Sequence, residues 1–165
     1  MDHFKYKNGE LYAEDVALRQ IADEVGSPVY VYSTATLERH YRAFAEAVSE
    51  LNPLICFAVK ANSNIAVIKT LARLGAGADV VSVGELKRAM TAGIPANKII
   101  YSGVGKSEAD LYAALDVGVH QINAESEAEL KLLSTVAMDL NKTAQVAIRI
   151  NPNVDAKTHE KITTG

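Results

Sequence analysis

A lysine closes a short apolar run, Ile55-Cys56-Phe57-Ala58-Val59-Lys60, and Ala61-Asn62 follow at once. Such a run reads as a buried strand. A lysine at its end must reach water, find an anion, or lose its charge to desolvation. A desolvated amine is what an enzyme needs to form a Schiff base with a carbonyl compound. A lysine that only carries its strand out into solvent has the same local sequence, so the run alone leaves both readings open. Other chemistry-bearing patterns are weaker. Gly75-x-Gly77-x-x-Val80 lacks the third glycine of a dinucleotide fingerprint and follows a helix where it should open one. Gly105-Lys106-Ser107 imitates the end of a phosphate-binding loop, yet Ile100 stands where the first glycine is required. His3, His40 and His120 have no partner at ligand spacing, and His159-Glu160 meets Thr163 where a zinc-protease motif needs its second histidine. For His159, in the loop after the last strand, contact with a substrate competes with gating and plain loop polarity.

The elements that must position Lys60 follow from the rest of the chain. Its 165 residues are 48% hydrophobic and 22% charged, which is globular and enough for one ordinary core. A net charge of −3 and a pI near 5.8 give no general reason to expect nucleic acid or an anionic membrane as partner. No apolar stretch approaches the roughly 20 residues of a membrane helix. The N-terminus lacks the layout of a secretory signal, so a cytoplasmic protein is expected. One cysteine rules out an internal disulfide framework and a cysteine-rich metal site.

From Ile55 onward, strand-like runs at 55–59, 78–83, 98–101, 119–124 and 145–150 alternate with helical stretches such as Ile65-Ile68-Leu71-Ala72 and Leu130-Leu133-Val136-Ala137. Ser82-x-x-Glu85, Ser107-x-x-Asp110 and Ser126-x-x-Glu129 match capping boxes in phase with the strands. Gly75, Gly93 and Gly118 sit where the preceding helices should stop, and Asn62-Ser63-Asn64 can cap the helix after Lys60. Upstream, Ser33–Leu51 predicts an amphipathic helix capped by Ser33 or Thr34, its charges a solvated face. Gly26-Ser27-Pro28 predicts a strand over Val29–Tyr32.

This alternation predicts parallel pairing in βαβ units. A doubly wound sheet and a (β/α)8 barrel both fit it. Side-chain alternation favours the barrel. Cys56, Ala58 and Lys60 share one face of the first strand and Ile55, Phe57 and Val59 the other, while Gln145, Ala147, Arg149 and Asn151 oppose Val146, Ile148 and Ile150 in the last. The small and polar face should line the barrel interior, gathering Lys60, Asp79, Ser82, Ser102, Glu125, Arg149 and Asn151 near the carboxyl ends of the strands, where barrel enzymes do their chemistry. Eight units need about 250 residues. The expected fold is therefore α/β, a partial (β/α)8 barrel of about five strands.

Several stretches are similar to one known group. CFAVKAN (Cys56–Asn62) and GADVVSVGEL (Gly77–Leu86) resemble the first two barrel strands of the alanine-racemase-like, fold-type III pyridoxal-phosphate enzymes. KIIYSGVGKSEADL (Lys98–Leu111), INAESEAEL (Ile122–Leu130) and RINPNVDAKTHEKITTG (Arg149–Gly165) resemble the diaminopimelate decarboxylase family within it, as does GSPVYVYS (Gly26–Ser33). The resemblance implies pyridoxal 5′-phosphate as cofactor and decarboxylation of meso-diaminopimelate to L-lysine by a homodimer with shared active sites, with carbanion charge taken up by the cofactor ring. It implies residues 1–33 as a segment joining a C-terminal β domain and 34–165 as the first part of the cofactor-binding barrel. Lys60 would carry the cofactor, Ala58 would lie beneath it, Asp79 would sit beside it and Lys60, and Arg149 would place a positive charge near the pyridine ring or Asp79. The stacking histidine, the glycine-rich phosphate site, the acidic partner of the pyridine nitrogen and the partner subunit's cysteine would lie beyond Gly165, leaving these 165 residues alone inactive. Cys56 is then a small residue filling the barrel interior. Two alternatives stay open: a related ornithine- or arginine-type decarboxylase, and a non-catalytic pyridoxal-phosphate-binding homologue.

Overall fold

Two-residue turns and capped helices organise the chain into two sheets. The computed structural model describes residues 3–154 and residue 157, so the loop segment with His159, Glu160 and Thr163 lies outside the described residues. The chain opens with an antiparallel sheet of β1 (Phe4–Lys7), β2 (Glu10–Ala13) and β3 (Val16–Ala17). Asn8 and Gly9 turn the first hairpin, both at positive φ (51° and 82°), and Lys7 pairs with Glu10. That is the turn an Asn-Gly pair favours, because its twist matches that of the strands it joins. Helix α1 (Leu18–Val25) follows.

The strand expected over Val29–Tyr32 does not form. The segment has no regular secondary structure and belongs to neither sheet. Tyr30 is 89% exposed, and among the described residues no ladder offers this segment's backbone a partner. A β-favouring sequence becomes a strand only where another strand satisfies its N–H and C=O groups.

Helix α2 (Thr34–Ala47) begins where the sequence places it, and the Ser33 hydroxyl accepts from the Thr36 amide at 3.0 Å. Then come β4 (Cys56–Ala58), α3 (Ile65–Arg73), β5 (Gly77–Val80), α4 (Val83–Thr91), β6 (Ile99–Tyr101), α5 (Glu108–Val117), β7 (Gln121–Ala124), α6 (Glu127–Asp139) and β8 (Val146–Ile148). The five strands β4 to β8 lie in chain order, all parallel. Each is shorter than its apolar run, because the ladder stops where the chain turns into the next cap.

One face of this sheet carries Ala78, Val80, Ile99, Tyr101 and Ile122, packed on Ile68, Leu86, Leu111, Ala114, Leu133 and Val136 of the helices. All are essentially removed from water. Truncating one such large aliphatic residue to alanine typically costs about 2–5 kcal/mol. The opposite face is small and polar, as the alternation predicts. Its tightest point is Gly77, where an added Cβ would stand 2.3 Å from the Lys98 carbonyl oxygen and 2.9 Å from Cys56 Sγ.

Helix termination also follows the sequence: Gly75, Gly93 and Gly118 take positive φ after α3, α4 and α5. The caps divide three ways. Ser107 and Asp110 form the complete reciprocal box. At α4, Ser82 accepts from Glu85 N, but the Glu85 carboxylate reaches one residue further back, to the Val81 amide at 2.9 Å. At α6, Ser126 accepts from Glu129 N while the Glu129 carboxylate turns inward to Lys106. Asn64 caps α3 through the Ala66 amide at 2.8 Å, as the asparagine cluster suggests.

Candidate active site

At the carboxyl ends of the parallel strands lies a cavity of about 400 Å³, lined by Lys60, Asp79, Ser102, Asn123, Glu125 and Arg149 among others. Each strand contributes through the same local event: the last lumen-facing residue, or the one just past the ladder, points inward before the helix cap turns the chain away. Lys60 sits in a single 3-10 turn, Val59–Ala61, that ends β4. Val59 is wholly buried on the helix side, which sends Lys60 to the opposite side. Its residue surface is exposed. Among the described residues its ammonium has no hydrogen bond and no carboxylate at ion-pair distance.

Asp79, from β5, is the register partner of Ala58. Its Oδ1 accepts from the Ser102 hydroxyl at 2.5 Å. That hydroxyl in turn accepts from Asn123 Nδ2 at 2.9 Å, and Asn123 Oδ1 accepts from Gln121 Nε2 at 2.7 Å. A continuous chain of side-chain hydrogen bonds therefore crosses from β7, through the residue after β6, to β5. The Ser102 proton is committed to Asp79, because of its two partners Asn123 Nδ2 can only donate and Asp79 Oδ1 accepts.

Arg149 lines the cavity but its guanidinium contacts Glu125, at 3.2 and 3.3 Å to the two carboxylate oxygens. The arginine is 55% exposed and the glutamate 13%. No ion pair joins Arg149 to Asp79 among the described residues. Arg149 and Asp79 line the same cavity, and the contact with Glu125 is one that the sequence does not announce.

Ala58 is half-buried and is the register partner of Asp79, but it lines the groove beside α2 and not the cavity that holds Lys60. Ser82 and Asn151, grouped with the rim by sequence, are used elsewhere: Ser82 caps α4, and Asn151 Oδ1 accepts from the Asn153 amide. Asn123 lines the cavity as its place in the polar stripe Gln121-x-Asn123-x-Glu125, opposite Ile122 and Ala124, implies; Gly103 carries no sequence signal for it.

Two thiol and phenol groups nearby are held neutral. Burial, with a smaller contribution from the charge of Asp79, pushes the Cys56 thiol up from its ordinary value. Tyr41 is raised in the same way, by burial and then by Cys56. A thiol raised in this way is a poor nucleophile, so Cys56 acts as a small wall residue. Among the described residues no group of three or more His, Cys, Asp or Glu side chains could hold a metal ion. Within them no helix is long and apolar enough to cross a membrane.

The cavity suits an aldehyde-bearing, polar aromatic group. It pairs one primary amine, unpartnered among the described residues, with a carboxylate held by a hydroxyl, and with an amide and a guanidinium.

Comparison with known proteins agrees with this chemistry. Residues 34–165 match the pyridoxal binding domain of the pyridoxal-dependent decarboxylases. The diaminopimelate decarboxylase of Vibrio cholerae serotype O1 is 53% identical over 166 residues, covering all of this chain and 40% of that protein. The diaminopimelate decarboxylase of Pseudomonas aeruginosa is likewise 53% identical, with the same shares covered. Among solved structures, that of diaminopimelate decarboxylase from M. jannaschii in complex with L-lysine aligns with a TM-score of 0.90 at 36% identity, over 99% of this chain and 39% of that one. The chain thus spans about 40% of the length of the curated relatives it matches.

Proposed function

The chain belongs to the pyridoxal-dependent decarboxylases, through their pyridoxal binding domain, and from that membership we propose that it is the amino-terminal part of a diaminopimelate decarboxylase. The reaction would convert meso-2,6-diaminopimelate to L-lysine and CO2. Identity near one half to curated diaminopimelate decarboxylases supports this substrate. The observation that carries the chemistry is the Lys60 ammonium, without a partner among the described residues, in a cavity that Asp79 from the neighbouring strand also lines.

Pyridoxal phosphate, when bound, supplies an aldehyde that an amine can engage and a conjugated ring that takes up the charge left by a departing carboxylate. Lys60 Nζ is the amine on hand for it, and it need break no ion pair with a described residue to react. Asp79 contributes a carboxylate that the Ser102 hydroxyl holds in one orientation, a fixed acceptor for a positively charged or N–H group beside it. As part of this reading, the small side chain of Ala58, on β4 two residues before Lys60, leaves room beneath the cofactor. Arg149 and Glu125 form a charge pair at the rim, where the carboxylate and ammonium groups of an amino acid would meet complementary partners. Lys106 is fully engaged inside the fold, so the Gly105-Lys106-Ser107 run holds no phosphate.

As part of the same proposal, residues 1–33 pack with a further β domain, the active protein is a cytoplasmic homodimer, and the barrel is completed by chain beyond these residues. The test is borohydride reduction of the full-length protein loaded with pyridoxal phosphate. The cofactor mass is expected on the peptide containing Lys60, and Lys60→Ala is expected to remove it. Label on another lysine, or none, would overturn the assignment. Steady-state rates with diaminopimelate, ornithine, arginine and lysine then test the substrate, with diaminopimelate expected to be preferred.

A further inference from the structure

Lys106 is the residue of the false phosphate loop left without a task, and it is among the most buried polar groups of the described structure. Its side chain is 2% exposed and that of its partner Glu129 is 6%. All three ammonium protons are committed: to Gly103 O at 2.8 Å, Asn123 O at 2.6 Å and Glu129 Oε1 at 2.7 Å. The amine is closed to any ligand. A buried ion pair is often no more stabilising than well-packed apolar side chains of the same volume. Packing by itself therefore gives no reason for it.

The acceptors supply a reason. Gly103 directly follows Ser102, and both line the cavity with Lys60. Its loop is packed close, since an added Cβ at Gly103 would lie 3.1 Å from Val81 Cβ. Asn123 also lines the cavity and donates to Ser102. Glu129 stands in the first turn of α6, its amide capped by Ser126. One ammonium thus ties the loop after β6, the body of β7 and the start of α6 to a single point. From two of those three attachments the side chains run on through Asn123 and Ser102 to Asp79.

We propose that Lys106, held by Glu129, is a positioning residue for the cofactor site: it fixes the backbones of Asn123 and Gly103 so that Asn123 and Ser102 set the orientation of the Asp79 carboxylate in the cavity that Lys60 also lines. The inference rests on the cofactor reading above. Lys106 touches neither cofactor nor substrate. The charged groups that face the cavity are Lys60, Asp79, Glu125 and Arg149, and the last two pair with each other. Asp79 is therefore the charge whose aim the clamp governs.

The experiment uses the full-length protein loaded with pyridoxal phosphate and compares wild type with Lys106→Met/Glu129→Gln, which removes both charges together. The double variant is expected to keep its circular dichroism and bind cofactor. Its kcat should fall by up to about a hundredfold, as small misplacements near a reacting centre can do, with KM changed less than about threefold. The pH midpoint of the bound cofactor's visible absorbance should move by about half a unit or more, reflecting a changed charge environment at the site. In a Ser102→Ala background the same pair of substitutions should add no further shift, because the path to Asp79 is already cut. A folded double variant with wild-type kcat and absorbance midpoint overturns the inference, as does full additivity with Ser102→Ala. Should the double variant not fold, Ser102→Ala alone decides: it is expected to move the midpoint, and an unmoved midpoint overturns the inference. A wild-type protein that binds no pyridoxal phosphate overturns the cofactor reading itself, and this inference with it.

Discussion

At the scale of single residues, what a side chain does here is decided by which partners reach it. Asp110 illustrates this. The Ser107 hydroxyl, then the phenol of Tyr101, hold its carboxyl below the ordinary range, against the opposing effect of burial. Tyr101 is pushed far up, by burial first and by Asp110 second, and stays neutral. Because the folded value of Asp110 is depressed, its contribution to stability is fully present above the unfolded carboxylate value of about 3.9. It is lost as pH falls through the lower folded value. Ser107→Ala is expected to raise the Asp110 midpoint in a carbon-detected carboxylate titration and to cost about 1 kcal/mol of stability at neutral pH, typical of a lost N-cap. An unchanged midpoint would show that the hydroxyl is not what holds the carboxylate. The Ser107–Asp110 box was legible in the sequence because both partners are local. The Lys106–Glu129 pair was not, because it joins residues 23 positions apart. The same Ser-x-x-Glu text at Ser126 therefore read as a reciprocal box when its glutamate serves the interior.

At the scale of elements, the N-terminal sheet is coupled to α2 by an acidic side chain. Glu14, at the β2–β3 turn with a φ of 56°, reaches α2 with Oε1 accepting from the Ser33 hydroxyl at 2.7 Å and the Ala35 amide at 2.9 Å. His3 adds bonds from its backbone N–H and its ring to Thr36 Oγ1. The Ala35 bond first, and then that of Ser33, hold the Glu14 carboxyl below its ordinary value against the opposing effect of burial. An anion at a helix N-terminus also meets the positive end of the helix dipole. Glu14→Ala is expected to speed amide exchange of Ala35 and of β1 and β2 several-fold while leaving β4 to β8 unchanged. Uniform change across both sheets would show that the two do not open separately. The hairpin itself had a sequence signal that went unused, Asn8-Gly9 between alternating residues. Its seat on α2 had none, since the contact spans about twenty residues with no periodicity to announce it. Conversely, Val29–Tyr32 carried a strand signal that the described structure does not honour, because propensity supplies no pairing partner.

At the scale of the whole molecule, the parallel sheet has two outer strands, β4 and β8, each with one neighbour in the described structure. Beside β4 lies an apolar groove of about 380 Å³ formed with Leu37, Tyr41 and Phe44 of α2. Beside β8 a groove of about 460 Å³ and mixed lining is formed with Leu133, Ala137 and Met138 of α6 together with Ser134 and Lys142. Ile148 on β8 is 69% exposed. Unpaired edges and apolar grooves invite association. Residues 1–165 produced alone are expected to bind a hydrophobic dye and to elute larger than a monomer, and Ile148→Lys is expected to reduce both. Monomeric behaviour without dye binding would contradict this. By itself, the sequence determined the order of strands and helices, the capped starts and glycine stops, and the placing of Lys60 and Asp79 on one face of a parallel sheet. All of these follow from periods of two and 3.6 residues and from bonds spanning a turn or less. Only the tertiary structure decided that Ser102 and Asn123 carry hydrogen bonds to Asp79, that Arg149 meets Glu125, and that Lys106 clamps three elements. Those contacts join residues far apart in the chain, and their geometry exists only once the strands have packed side by side.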